Sequence, residues 1–188
     1  VNRLCGGQSG GGSSLNISNA KHCFKNTENG EKYMTAERSE FANSENTGNI
    51  SIAIDGPAGA GKSTIAKEIS KRLSITYVDT GAMYRAVGLK AMRMGIDPAD
   101  VRRVVPMLEG TNVSIEYIDG VQHVLLDGED VSGLIRTEEV SHYASVISTI
   151  PEVRKKLVEL QRALARVRNV VMDGRDICSY VLPDATHK

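Results

Sequence analysis

The pattern of apolar positions changes at Asn49. Before it, the chain is polar and shows no spacing that would bury a face; Gly6 to Ser14 reads Gly-Gly-Gln-Ser-Gly-Gly-Gly-Ser-Ser, a flexible-linker composition. Residues 1–48 are therefore expected to be disordered or non-native. The first residue is Val1 and the first methionine Met34, so natural translation is expected to start at or after Met34. From Asn49 the run Asn-Ile-Ser-Ile-Ala-Ile-Asp55 predicts a short buried strand. Ser63 to Leu73 changes period: Ile65, Ala66, Ile69 and Leu73 share one helical face, with Lys67, Glu68, Lys71 and Arg72 opposite. A second strand is expected over Ile75 to Val78 and a helix over Ala82 to Met94, ending at Gly95. Asp97 is expected to cap a third helix, with Pro98 in its first turn.

The middle of the chain reads differently. Asn112 to Tyr117 and Val121 to Leu126 flank Ile118-Asp119-Gly120, the pattern of a β-hairpin, and Val131 to Ile135 is a candidate third strand. Helical pattern resumes at Thr137. Another helix is expected from Pro151, with Thr149 and Glu152 as a capping box. Asn169 to Asp173 predicts one more buried strand. The whole predicts an α/β fold: a β-loop-α core carrying a small antiparallel insertion.

Composition narrows the function. The 188 residues suit one domain, and 23 basic residues balance 23 acidic ones. A general nucleic-acid binder needs excess positive charge, and 4% aromatics without Trp offer few stacking platforms, so no nucleic-acid partner is expected. No run nears the roughly 20 apolar residues of a membrane span, so no membrane association is expected. Cys5, Cys23 and Cys178 fit neither a disulfide framework nor a zinc site, which points to a reducing cytoplasm. His22, His123, His142 and His187 lack metal-ligand spacing.

Gly56-Pro57-Ala58-Gly59-Ala60-Gly61-Lys62-Ser63, followed by Thr64, matches the P-loop pattern between a strand and a helix. Such a loop turns backbone N–H groups inward and aims a helix N-terminus at bound phosphates. Lys62 is the expected point charge on the β- and γ-phosphates, and Ser63 the expected Mg²⁺ ligand. Asp79-Thr80-Gly81-Ala82-Met83-Tyr84-Arg85 follows the second strand, and Arg85 can clamp a second phosphate there. Asp173-Gly174-Arg175-Asp176 leaves a third strand at the same edge. Asp173 is positioned to support Mg²⁺ or its waters, and Arg175 and Asp176 to address the acceptor.

These three ordered motifs, with the hairpin-bearing segment from Gly110 to Ile135, resemble bacterial cytidylate kinase over residues 49–188. The resemblance implies a three-layer P-loop kinase core with a parallel sheet and an inserted nucleoside-monophosphate-binding region at about residues 82–168. It implies transfer of the γ-phosphoryl group of ATP to CMP or dCMP with Mg²⁺, by a cytoplasmic monomer. It places Thr80, Arg85 and Arg175 on the acceptor phosphate, Ser145, Arg154 and Asp176 on cytosine, and Lys62, Asp173 and Arg175 in catalysis. Alternatives are a kinase of the UMP or shikimate class, or a non-catalytic nucleotide-binding fragment. Two departures stand out. Cys178-Ser179 replaces the family's usual Gly-Thr, and Lys188 is reached where the family's next core strand begins. The sheet is therefore expected to be incomplete, and the 188-residue chain weakly stable with little or no turnover.

Overall fold

A computed structural model of the protein describes residues 49–188. The segment expected to be disordered or non-native, with Cys5, His22, Cys23 and Met34, lies outside the described residues. Strand β1 (Ser51–Asp55) runs into the glycine-rich loop and α1 (Lys62–Leu73). Then follow β2 (Thr76–Asp79), α2 (Thr80–Arg93), α3 (Val101–Glu109), β3 (Val113–Ile118), β4 (Val121–Leu126) and β5 (Glu129–Asp130). Helices α4 (Glu138–Ile147) and α5 (Pro151–Val167) lead to β6 (Val170–Gly174) and a π-helical turn, Ile177–Val181. No helix among the described residues is long and apolar enough to cross a membrane.

The apolar strands β1, β6 and β2 form a parallel sheet in that order, in register from Ser51–Val170 to Asp55–Gly174 on one side and from Thr76–Val170 to Asp79–Asp173 on the other. Each therefore ends at one carboxyl edge, where Asp55, Asp79 and Asp173 emerge. The outer side of β1 is met at Ile52 by a bridge to His187. The second sheet is antiparallel, β3–β4–β5, and its two turns are Asp-Gly pairs, Asp119-Gly120 and Asp127-Gly128, with positive φ at all four residues. Those are the dihedrals that a two-residue hairpin demands.

Most of the buried side chains form one cluster that joins α2, α3, the antiparallel sheet, α4 and α5, with Met83, Ile135, Ile147 and Leu157 fully enclosed. Each such side chain stabilises the fold by roughly 1.5–3 kcal/mol relative to exposure. A second cluster holds β1 and β6 to the π-helical turn through Ala53, Met172, Ile177 and Val181. The exposed edge of β2 is engaged by the hairpin. Tyr117 donates its hydroxyl to Tyr77 O at 2.8 Å, while the Gln122 amide accepts from Asp79 N at 2.7 Å and donates to Asp79 O at 3.3 Å.

Four local expectations are corrected. Asp97 and Pro98 form a turn, with Asp97 Oδ1 accepting from Ala99 N; the helix starts three residues later, behind Asp100. Val131 to Ile135 is not a strand. Asp130 bonds the Ser132 amide and hydroxyl and turns the chain, so the third strand is the short β5. No capping box precedes α5: Ile150 holds the N-cap position, and Thr149 Oγ1 donates back to Val146 O. On α1 only Ala66 is buried; Ile69 is half-buried, and Ile65 and Leu73 are exposed among the described residues. Ala66 packs with Ile75 and Val171 because a small side chain lets the helix lie close on the sheet.

Candidate active site

The loop from Gly56 to Gly61 connects β1 to α1 at the carboxyl edge of the sheet. Gly59 and Gly61 have φ of 76° and 79°, and a Cβ at either would meet nothing within 4 Å. Backbone conformation, rather than crowding, is what demands glycine there. Gly61 is the N-cap of α1 and supplies no side-chain acceptor; its carbonyl takes the Thr64 and Ile65 amides, and those of Lys62 and Ser63 are left for an external anion. Lys62 Nζ arches over the loop to donate to Pro57 O at 2.6 Å. Pro57, Ala58, Gly59, Ala60, Ser63 and Thr64 all remain exposed.

Asp173 joins three parts of the chain. Its Oδ2 accepts from Ser63 Oγ at 2.7 Å, its Oδ1 from Tyr77 Oη at 3.0 Å, and its backbone carbonyl from Thr80 Oγ1 at 2.7 Å. Burial, with the charges of Asp79 and Asp173, pushes the Tyr77 phenol well above its ordinary range, so it remains a donor. Gly174 lets β6 approach this closely; a Cβ there would fall 2.6 Å from Ile177 Cδ1 and 2.8 Å from Thr80 Oγ1. The Ser63 hydroxyl and Asp173 carboxylate are hard oxygen donors and fit Mg²⁺, which commonly binds one or two protein groups and fills its octahedron with phosphates and water.

Asp79 organises the neighbouring helix. Its Oδ1 accepts from Ala82 N at 3.0 Å as the N-cap of α2, and its Oδ2 accepts from Arg85 at 3.0 Å and Arg136 at 3.3 Å. Arg85 Nε is buried without a hydrogen-bond partner among the described residues. An orphaned buried donor costs about 1–3 kcal/mol, and a phosphate oxygen is the acceptor that would satisfy it.

A third group lies where β6 passes α5. Arg154 donates to Asp176 and lies over the Tyr180 ring at 5.2 Å. The bond to Asp176 raises the Arg154 pKa, so the guanidinium stays charged. Tyr84 belongs to the same group: burial raises its pKa, Arg154 opposes this, and Asp176 and Tyr180 add to it.

The structure thus brings Ser63, Thr80 and Asp173 together, sets Arg85 one turn into the helix that Thr80 begins, and pairs Arg154 with Asp176. Ser145 is exposed on α4 and Arg175 is exposed after β6; neither side chain makes a hydrogen bond among the described residues. Sequence reasoning passed over Tyr77, Tyr84, Arg136 and Tyr180 as site residues. It also passed over Asp55, whose carboxylate accepts from Ile177 N at 2.6 Å and Cys178 N at 2.9 Å and so fixes the turn after Asp176. Asp55 had a readable signal: it ends β1 immediately before the glycine loop. Cys178, in place of the usual glycine, tucks its thiol against Ala53 O at 3.4 Å. Burial and the bonded Asp55 raise the thiol pKa and keep it protonated.

Comparison with known proteins gives a consistent result. Residues 52–188 match the family model described as cytidylate kinase. A protein named cytidylate kinase from Caldicellulosiruptor saccharolyticus is 55% identical over 139 residues, covering 74% of this chain and 62% of the relative. Proteins of the same name from Symbiobacterium thermophilum and Clostridioides difficile are each 50% identical, covering 77% and 75% of this chain and 64% and 63% of the relative. The chain therefore spans a little over three-fifths of the length of these curated relatives.

Proposed function

The chain belongs to the cytidylate kinase family, and from that premise we propose that its reaction is transfer of the γ-phosphoryl group of ATP to CMP or dCMP, with little or no turnover expected of the 188 residues by themselves. The single observation that carries this reading is the double engagement of Asp173. One residue holds the Ser63 hydroxyl of the phosphate-binding loop and, through its backbone, the Thr80 hydroxyl of the motif that leads to Arg85. Donor and acceptor machinery are thereby locked to a common strand.

In this reading Gly56 to Thr64 cradle the donor phosphates, with Lys62 turning from Pro57 O to the β- and γ-oxygens. Ser63, supported by Asp173, holds Mg²⁺, which supplies charge neutralisation of the phosphates. Thr80, Arg85 and Arg175 bind the acceptor phosphate, and Arg85 Nε gains the acceptor that it lacks. Ser145, Arg154 and Asp176 read cytosine. A carboxylate can accept from the 4-amino group, whereas uracil would leave it facing an oxygen. The acceptor phosphate is itself the nucleophile, so the side chains need only orient two anions and offset charge on the group in transit. A cytoplasmic monomer whose acceptor-binding region covers about residues 82–168 is part of the same proposal.

Calorimetric titration of the 188-residue chain with CMP, dCMP, UMP and AMP tests the substrate assignment, with ADP release measured on the same panel. CMP and dCMP are expected to bind at least about tenfold more tightly than UMP, the scale of a lost hydrogen bond to a charged group, and Arg154→Ala to abolish the preference. Equal binding of CMP and UMP would overturn the cytosine assignment.

A further inference from the structure

The exposed edge of β2 opens on a cavity of about 610 Å³, a volume within the range of small-molecule sites. It adjoins the site described above and shares Tyr77, Asp79 and Arg136 with it, while the glycine loop, Arg85, Arg154 and Asp176 do not line it. It lies between the C-terminal half of α1, β2 and the β3–β4 hairpin. The chain's last residues run along β1, on the opposite edge of the sheet.

Its lining is lopsided in charge. Lys67 and Lys71 enter from α1, Arg136 from the segment before α4 and Arg168 from the end of α5, against the single carboxylate of Asp79. That carboxylate already serves two arginines. Lys67, Lys71 and Arg168 make no ion pair among the described residues. Instead Lys67 lies 5.8 Å from the Tyr77 ring centre and Arg168 5.9 Å from that of Tyr117. The folded chain gathers three unpaired cations from two elements around a concave surface, where the field is focused. Apolar side chains, Ile75, Val124 and Ile135 among them, share the rest of the lining with neutral polar ones, Thr76, Gln122 and Ser132 among them. Cations with an aromatic and aliphatic lining suit a ligand that has several negative charges and a flat organic body.

We propose that this cavity is a second nucleotide site, taking a nucleotide with two or more phosphates, and that its occupant weakens acceptor binding through Arg136 and Asp79. Arg136 and Arg85 share Asp79 Oδ2. Phosphates that draw Arg136 away leave that oxygen to Arg85 alone and tighten their pair, so Arg85 is less available to the acceptor phosphate. Coupling of this kind is reciprocal: the acceptor must weaken the second ligand by the same factor. The site stands on its own lining; only the coupling rests on the role proposed above for Arg85.

The probe is GTP, which has no cytosine edge with which to imitate the acceptor. Equilibrium dialysis on Lys62→Ala, where the glycine loop is impaired, is expected to retain a GTP site whose affinity falls with added salt. Adding Lys71→Glu and Arg168→Glu should weaken that site at least tenfold, and the gentler Lys71→Gln with Arg168→Gln should act in the same direction. Inorganic triphosphate should bind more weakly than GTP. With the unsubstituted chain, GTP should weaken CMP binding several-fold, and the charge reversals should remove that effect. GTP binding that stays within twofold after charge reversal in a chain with unchanged circular dichroism refutes the site, and triphosphate equal to GTP refutes its assignment to a nucleotide. GTP binding without an effect on CMP refutes the coupling. Failure of CMP to bind in the absence of GTP counts against the kinase reading alone.

Discussion

Replacement of Gly88 by alanine sets two effects of opposite sign against each other. Gly88 lies in α2 where it crosses α4. A Cβ there would fall 2.9 Å from Ala144 N, 3.2 Å from Tyr143 Cβ and 3.3 Å from Val140 O. Helix propensity alone favours alanine over glycine by about 1 kcal/mol. Overpacking costs typically about 1–3 kcal/mol, and here the nearest atom is backbone in another helix, which cannot rotate aside. The contact wins: backbone at 2.9 Å puts the cost in the upper half of that range, so Gly88→Ala is expected to destabilise the chain by about 1–2 kcal/mol, and Gly88→Val by more. Urea unfolding followed by circular dichroism measures this as a lower midpoint at unchanged slope. Relief of the clash also moves the backbone at Ala144, next to Ser145, so CMP affinity should fall with stability. A Gly88→Ala chain as stable as the original would show that α2 and α4 are not closely apposed, and the reasoning would fail.

Other expected outcomes follow from single contacts. Gln161 is fully buried, and neither of its amide atoms has a partner among the described residues, so Gln161→Leu should raise the urea midpoint by the equivalent of about 1–3 kcal/mol; a lower midpoint would mean that the amide is satisfied by internal water. Asp55→Ala removes two hydrogen bonds to a charged acceptor, each worth roughly 1.5–3 kcal/mol. Peptide mapping after iodoacetamide treatment should then show faster alkylation of Cys178, and an unchanged rate would contradict the anchoring role. Asp130 has its carboxyl lowered from 3.8 to about 2 by the Ser132 hydroxyl and amide and by His123. Its folded pKa is the lower one, so its contribution is complete above about pH 4 and fades between about pH 4 and pH 2. Asp130→Asn should make the urea midpoint less steep against pH over that interval, and an unchanged slope there would contradict the assignment.

Where local chemistry had one outcome, the chain was legible. The glycine loop between strand and helix, and Asp119-Gly120 between two alternating segments, carry their own geometry. Val131 to Ile135 was misread because Val131 and Ile135 are indeed buried; what bends the segment is a side-chain bond from Asp130, which hydrophobic pattern does not register. Asp97-Pro98 misled in a related way, since Asx bonding serves a turn as well as a cap. At the site, the three motifs marked Ser63, Asp173, Thr80 and Arg85, but the tyrosines that line it read as ordinary strand and helix residues. Tyr77 and Tyr117 are 40 residues apart, and their contact exists only because the hairpin folds back on β2.

That contact bears on how the chain avoids its neighbours. A short parallel sheet that ended at a bare β2 would offer its carbonyls and amides as a template for a strand from another molecule. Gln122, whose side-chain amide has the donor and acceptor of a peptide group, fills that role from within the same chain, and Tyr117 covers the next carbonyl. The hairpin thus works as a self-supplied stopper against intermolecular strand addition, a service independent of any nucleotide and required from the moment the sheet first assembles.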